Sequence, residues 1–151
     1  MSFPLRDNHR CFVCGDENPI GLKLTFQREG GLAVAEIVLA DVYQGFFGMA
    51  HGGIAGAMLD EAMWYALESV GFLGLTAELN VRYLQPVPVG ESLRVEARVG
   101  EVGRRLGEAT ASLQTASSVV AKASGKFLRW KEGVEREGLG GKPPPDQALR
   151  S

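Results

Sequence analysis

The stretch His51-Gly52-Gly53-Ile54-Ala55-Gly56-Ala57-Met58-Leu59-Asp60-Glu61-Ala62-Met63-Trp64-Tyr65-Ala66-Leu67-Glu68-Ser69-Val70 decides how the chain is read. From Ile54 to Val70 there is no proline and only one glycine, Gly56, and Ala, Met, Leu and Glu dominate, all strong helix formers. Gly71 stands where a helix of this length would end. The pattern predicts one helix over residues 54–70. Its apolar residues, among them Ile54, Ala55, Met58, Leu59, Ala62, Met63, Trp64 and Leu67, leave only a narrow charged stripe. A helix apolar almost all round needs covering on most of its surface, so a sheet that wraps it is expected.

Outward from the helix, the chain reads as strands. Toward the N-terminus, Leu22, Leu24 and Phe26 alternate with Lys23, Thr25 and Gln27, predicting a half-buried strand over residues 20–28. Gly30-Gly31 marks a turn, and residues 32–39 are apolar and β-branched enough to return as the second arm of a hairpin. Residues 42–53 carry four glycines among Phe46, Phe47, Met49 and His51, a composition for a tight loop. After the helix, residues 75–84, 92–99, 108–116 and 119–130 read as four more strands. In the first of these, Ala77, Leu79, Val81 and Tyr83 fall on one face and Thr76, Glu78, Asn80 and Arg82 on the other. The result is an α+β domain, an antiparallel sheet against one long helix. Residues 1–19 form an irregular arm, 20–131 the domain, and 132–151, with its glycines and three consecutive prolines, a mobile tail.

Composition narrows the function. The 151 residues are 45% hydrophobic and 23% charged with net charge −2, an ordinary globular balance that disfavours nucleic acid as a partner. No run of eighteen apolar residues occurs, and the first residues lack the layout of a signal peptide, so a cytoplasmic protein without membrane partners is expected. The two cysteines, Cys11 and Cys14, form a CxxC pair. With His9 they remain one ligand short of a structural zinc site unless a symmetry mate or His51 completes it. The plainer reading is that both thiols pack as small apolar groups, and no metal is expected.

Wheel geometry separates the helix carboxylates. Glu61 and Glu68 fall within about 20° of each other and define the solvated stripe, whereas Asp60 lies about 100° round from Glu61, between Met63, Trp64 and Leu67. A partly desolvated carboxylate has a raised pKa and can serve as a base; the plainer alternative is a helix Asp bonded to loop backbone. At the helix start, Gly52 and Gly53 expose unpaired N–H groups suited to an oxygen carrying negative charge. His51 either polarises the same carbonyl or acts as a cap.

Three segments resemble a known family: Cys11-Phe12-Val13-Cys14-Gly15 through Leu22, Gly48-Met49-Ala50-His51-Gly52-Gly53 through Ala62, and Thr76 through Glu91 with its Tyr83-x-x-Pro86. They look like the phenylacetate-pathway branch of hotdog acyl-CoA thioesterases, over residues 11–130. The resemblance implies a hotdog fold, five or six antiparallel strands wrapped around one central helix, assembled as a homodimer or a dimer of dimers with sites at the dimer interface. It implies hydrolysis of an acyl-CoA or other acyl thioester, with Asp60 as base or nucleophile and the Gly53 N–H, supported by Gly52, as oxyanion donor. It also implies that Thr76 of the partner protomer holds the attacking water and that His51 is an orienting residue. Coenzyme A is then part of the substrate and no separate cofactor is needed. Many relatives carry Asn six positions before the His, where this chain has Gly45; Gln44 beside it is a substitute of longer reach. For the CoA phosphates, Arg82, Arg104 and Lys126 are candidates. No Gly-x-Ser-x-Gly occurs, so a serine hydrolase is not supported. The competing reading is a non-catalytic acyl-CoA binding module on the same fold, favoured by Gly45. Phe46, Phe47, Met49, Met58, Met63 and Trp64 are candidate residues of an apolar tunnel for an aryl or medium-chain acyl group, and plain core packing is the alternative for them.

Overall fold

A computed structural model describes Leu5 and residues 7–130. The expected tail over 132–151 lies outside the described residues, as do residues 1–4 and 6 of the arm. The elements run β1 (Gln27–Glu29), β2 (Leu32–Val38), a short 3-10 turn (Asp41–Tyr43), α1 (Gly52–Glu68), β3 (Gly74–Tyr83), β4 (Ser92–Val102), β5 (Leu106–Gln114) and β6 (Val119–Arg129). All six strands join one antiparallel sheet in the order β1-β2-β4-β5-β6-β3. This is the predicted helix on a wrapped sheet.

The sheet takes up the apolar surface of α1. Met58, Leu59, Ala62 and Met63 are fully buried, packed in one core with Leu93 and Val95 of β4, Leu113 of β5, and Ala121 and Phe127 of β6. Burying each large side chain contributes about 1.5–3 kcal/mol, against the entropy of ordering the chain. The helix stops where Gly71 adopts φ +82°: its N–H reaches Glu68 O at 2.9 Å and the Phe72 N–H reaches Leu67 O at 3.0 Å, which satisfies two end carbonyls. At the other end α1 starts two residues before the predicted Ile54, because His51 caps it.

Two expectations need correction. Residues 20–28 alternate as predicted, with Leu22, Leu24 and Phe26 buried, yet only Gln27–Glu29 pairs as a strand. The Leu22 and Leu24 N–H groups instead bond Phe12 O and Val13 O, each at 2.9 Å, so this segment straps the arm down. Alternation records which side is buried but not which backbone supplies the partner. The second correction concerns β3. Thr76 pairs with Phe127 and Glu78 with Lys126, so one extra residue, Ala77, bulges out between them. Phe127 is fully buried against the helix, so its partner Thr76 faces inward too, on the side of Leu79, Val81 and Tyr83 rather than that of Glu78. Among the described residues no helix is long and apolar enough to cross a membrane.

Candidate active site

The loop before α1 is held by backbone. Ala50 N–H donates to Val87 O at 2.7 Å, His51 N–H to Tyr43 O at 2.9 Å, and Gly45 N–H to Met49 O at 2.9 Å. These bonds deliver His51 to the N-cap position. Its Nδ1 accepts the Gly53 N–H at 2.9 Å, while Ile54 and Ala55 both donate to His51 O. The capping reading of His51 therefore holds within the chain. The Gly53 N–H, expected to await an oxyanion, is engaged by the imidazole, because an unpaired first-turn donor takes the nearest acceptor. The Gly52 N–H has no partner among the described residues. Tyr83, which the sequence reading did not nominate, donates its hydroxyl to Gly52 O at 2.5 Å, and a Cβ on Gly52 would lie 3.4 Å from its ring. Beside this point opens a cleft of about 340 Å³ lined by Met49, Gly52, Tyr83, Leu84 and Pro86, among others.

Two turns further along α1, Asp60 is half-buried, and Thr76 Oγ1 donates to its Oδ1 at 2.7 Å. Burial raises the carboxyl above its ordinary value, and the Thr76 hydrogen bond works in the opposite direction. The bulge at Ala77 is what turns Thr76 toward this carboxylate. The Trp64 indole N–H donates to Gly74 O at 2.9 Å and ties the same stretch of helix to the start of β3. Thr76 was expected from a partner protomer; here it reaches Asp60 of its own chain. Gly52 and Asp60, eight residues apart, are separated by about 12 Å along the helix axis. That is too far for both to act on one carbonyl, whose oxygen and carbon each need a group at about 3 Å.

The remaining expected residues scatter. Gln44 Oε1 accepts the Gly48 N–H at 3.3 Å and so braces its own loop. A Cβ at Gly45 would stand 3.2 Å from His51 Cα, so the glycine lets the loop close on the histidine. Of the apolar candidates, Met49 lines the cleft, Met58 and Met63 belong to the core, and Phe46 and Phe47 project from the loop at 79% and 97% exposure. Arg82 pairs across the sheet with Lys122, and Lys126 lies 3.8 Å from Glu78. Arg104 sits by the first residues of β3, since Arg129, which pairs with Gly74, donates to its carbonyl. Arg82 is eight residues along β3 from Gly74, about 26 Å at ~3.3 Å per residue, so the three cations do not form one phosphate cluster within the chain. Glu61, assigned to the solvated stripe, is instead covered by the arm, with Cys11 Sγ 3.5 Å from its Oε1. Burial first, and then the Cys11 charge, push its carboxyl upward. A helical wheel knows only the helix, and the cover comes from a segment 50 residues away in sequence.

The family model described as the thioesterase superfamily matches residues 47–126, which include the His51 loop, Asp60 and Thr76. Human acyl-coenzyme A thioesterase 13 is 25% identical over 100 residues, 65% of this chain and 67% of that protein. A thioesterase-superfamily protein of known crystal structure superposes with TM-score 0.75 at 28% identity, covering 79% of this chain and 63% of its own. The phenylacetic acid degradation-related protein of Ralstonia eutropha superposes with TM-score 0.65 at 26% identity, covering 71% and 85%.

Proposed function

The chain belongs to the thioesterase superfamily and has its hotdog fold, and on that premise we propose that it hydrolyses the thioester of an acyl-CoA at a site completed by a second copy of itself. The observation that carries the reading is Asp60, half-buried in the face of α1 and oriented by Thr76 from the edge strand β3. A thioester carbonyl is electrophilic enough that one oriented carboxylate and one preorganised oxyanion donor suffice. Asp60 acts on it as base, through water, or as nucleophile. The oxyanion donors are the first N–H groups of α1: Gly52 N–H, and Gly53 N–H once the substrate oxygen replaces the His51 ring.

The axial separation of about 12 Å between Gly52 and Asp60 supports the reading that the two groups serving one thioester come from different protomers. A dimer with antiparallel helices brings Asp60 of one copy to the helix start of the other. Strand β3 is the edge for such pairing. It is ten residues long, ends the sheet, and carries Leu75, Leu79 and Tyr83 at 45%, 39% and 50% exposure, a long apolar edge of the kind that recruits another strand. Phosphates of CoA then meet cations gathered from both copies, with Arg82, Arg104 and Lys126 as candidates. The similarity to human acyl-coenzyme A thioesterase 13 supports the choice of acyl-CoA.

Thiol release from a panel of aryl and medium-chain acyl-CoA substrates, compared between the native chain and Asp60→Asn, tests this reading. Turnover by the native chain that Asp60→Asn abolishes is expected. The engaged Gly53 N–H and the inward-braced Gln44 favour the second reading, a non-catalytic acyl-CoA binding module. Binding of acyl-CoA by the native chain without thiol release would establish that alternative.

A further inference from the structure

We propose that Cys11, Cys14 and Glu61 form a binding site for a divalent cation of the zinc class, which fastens the N-terminal arm to α1. The inference is independent of the catalytic reading and replaces the expectation that the thiols merely pack.

One ligand atom from each residue lies within 4.8 Å of the others, and all three residues are half-buried. Zinc bonds of about 2.3 Å to sulfur and about 2.1 Å to oxygen, set at the tetrahedral angle, place the two ligand atoms about 3.6 Å apart. The Cys11 Sγ to Glu61 Oε1 separation is 3.5 Å, so a cation enters with little movement of this pair.

The turn carrying the thiols is built around sulfur. The N–H groups of Val13 and Cys14 point at Cys11 Sγ at 3.4 and 3.5 Å, and Gly15 N–H closes the turn on Cys11 O at 2.9 Å. A Cβ at Gly15 would stand 2.4 Å from Cys11 N and 2.6 Å from His9 O, so only glycine allows the chain to fold back this tightly. Backbone donors aimed at a sulfur complement the charge of a thiolate, the form that ligates metal. The second thiol is oriented from outside, because Tyr65 donates its hydroxyl to Cys14 Sγ at 3.2 Å. That ring is buried, stacked on Phe26 at 4.9 Å with the Arg28 guanidinium 4.6 Å from its centroid, so the donor is rigidly placed. Oriented outer partners of this kind are what metal ligands require.

The donor set selects the cation. Two thiolates and one carboxylate suit zinc, cobalt or ferrous iron; hard cations such as magnesium and calcium want six or more oxygens, and cuprous ion wants sulfur throughout. Cys14 also borders a cleft of about 200 Å³ that gives the ion an entry path and solvent a route to the fourth position.

The test uses the full chain, reduced and stripped with a chelator, then titrated with cobalt and with zinc. Expected are one cobalt per chain, thiolate-to-cobalt charge-transfer absorption, tetrahedral d–d bands, bleaching by zinc, and a higher melting temperature with zinc bound. Cys11→Ser, Cys14→Ser and Glu61→Gln should each weaken cobalt binding at least tenfold, either serine variant should about halve the charge-transfer intensity, and the double serine variant should abolish it. Glu68→Gln, on the same helix but paired with Arg28, should leave binding unchanged. Circular dichroism of each variant checks folding, and should a variant not fold, the native chain's own spectrum decides. Absence of cobalt absorption by the folded reduced chain, binding that survives loss of both thiols, or a native Cys11–Cys14 disulfide that does not open in reductant overturns the proposal.

Discussion

Replacing Thr76 with valine keeps the shape of the side chain and removes only its hydroxyl. That hydroxyl donates to Asp60 Oδ1 at 2.7 Å and is the one donor to the carboxylate among the described residues. A hydrogen bond to a charged group contributes about 1.5–3 kcal/mol net; with Asp60 half-buried and Thr76 on the sheet edge, the lower end, about 1.5 kcal/mol, applies. If Asp60 acts on the thioester, its orientation matters in the transition state, so the same loss appears in turnover. A loss of about 1.4 kcal/mol is a tenfold fall in kcat/KM, and a displacement of the carboxylate by about 1 Å would bring the fall nearer a hundredfold. Thiol release from a reactive acyl-CoA measures it. Thr76→Ser keeps the hydroxyl and should recover activity to within about threefold, which a purely structural role for the methyl group would not produce. A double-mutant cycle with Asp60→Asn, read by urea unfolding, should return a coupling of about 1 kcal/mol or more. Native turnover in Thr76→Val, or a coupling below about 0.3 kcal/mol, would refute the assignment of Thr76 as the residue that positions Asp60.

His51→Ala removes the cap on Gly53 N–H, and unfolding curves should show a loss of about 1 kcal/mol with the fold retained. If β3 is the edge of the proposed dimer, Leu79→Arg places a charge on that apolar edge, and sedimentation should show a shift from dimer to monomer, with turnover lost in parallel. Gly125→Ala introduces a Cβ that would stand 2.8 Å from Phe127 Cε2 and 3.0 Å from Met63 Cε; the forced repacking should lower stability by about 1–3 kcal/mol, seen as a lower urea midpoint at unchanged slope.

Much of the architecture was legible because its signals are local. The helix shows as a stretch of strong helix formers with Gly71 behind it, and β3 to β6 as apolar and polar alternation between turn residues. Wheel position separates Asp60 from Glu61 and Glu68 on α1, but it does not rank their burial, since the arm covers Glu61 as well. Three features resisted. The alternation at Leu22, Leu24 and Phe26 is real, but its hydrogen bonds go to the arm. The Ala77 bulge shifts the strand period by one and carries Thr76 to the face opposite the one its spacing implied. Glu61 has no residue nearby in sequence to signal that Cys11 lies over it.

By itself the sequence determined what repeats within a few residues: the helix, the strand order along the chain, the glycine-rich approach to His51, and which side chains have the chemistry for a site. Tertiary structure alone decided which of those groups meet, placing Thr76 on Asp60, the His51 ring on Gly53 N–H, and the Cys11–Cys14 turn on Glu61. The physical reason is that helix and strand periods arise from backbone geometry over neighbouring residues, whereas a partner for a buried polar atom is supplied by whichever segment packing brings within 3 Å, however distant in the chain.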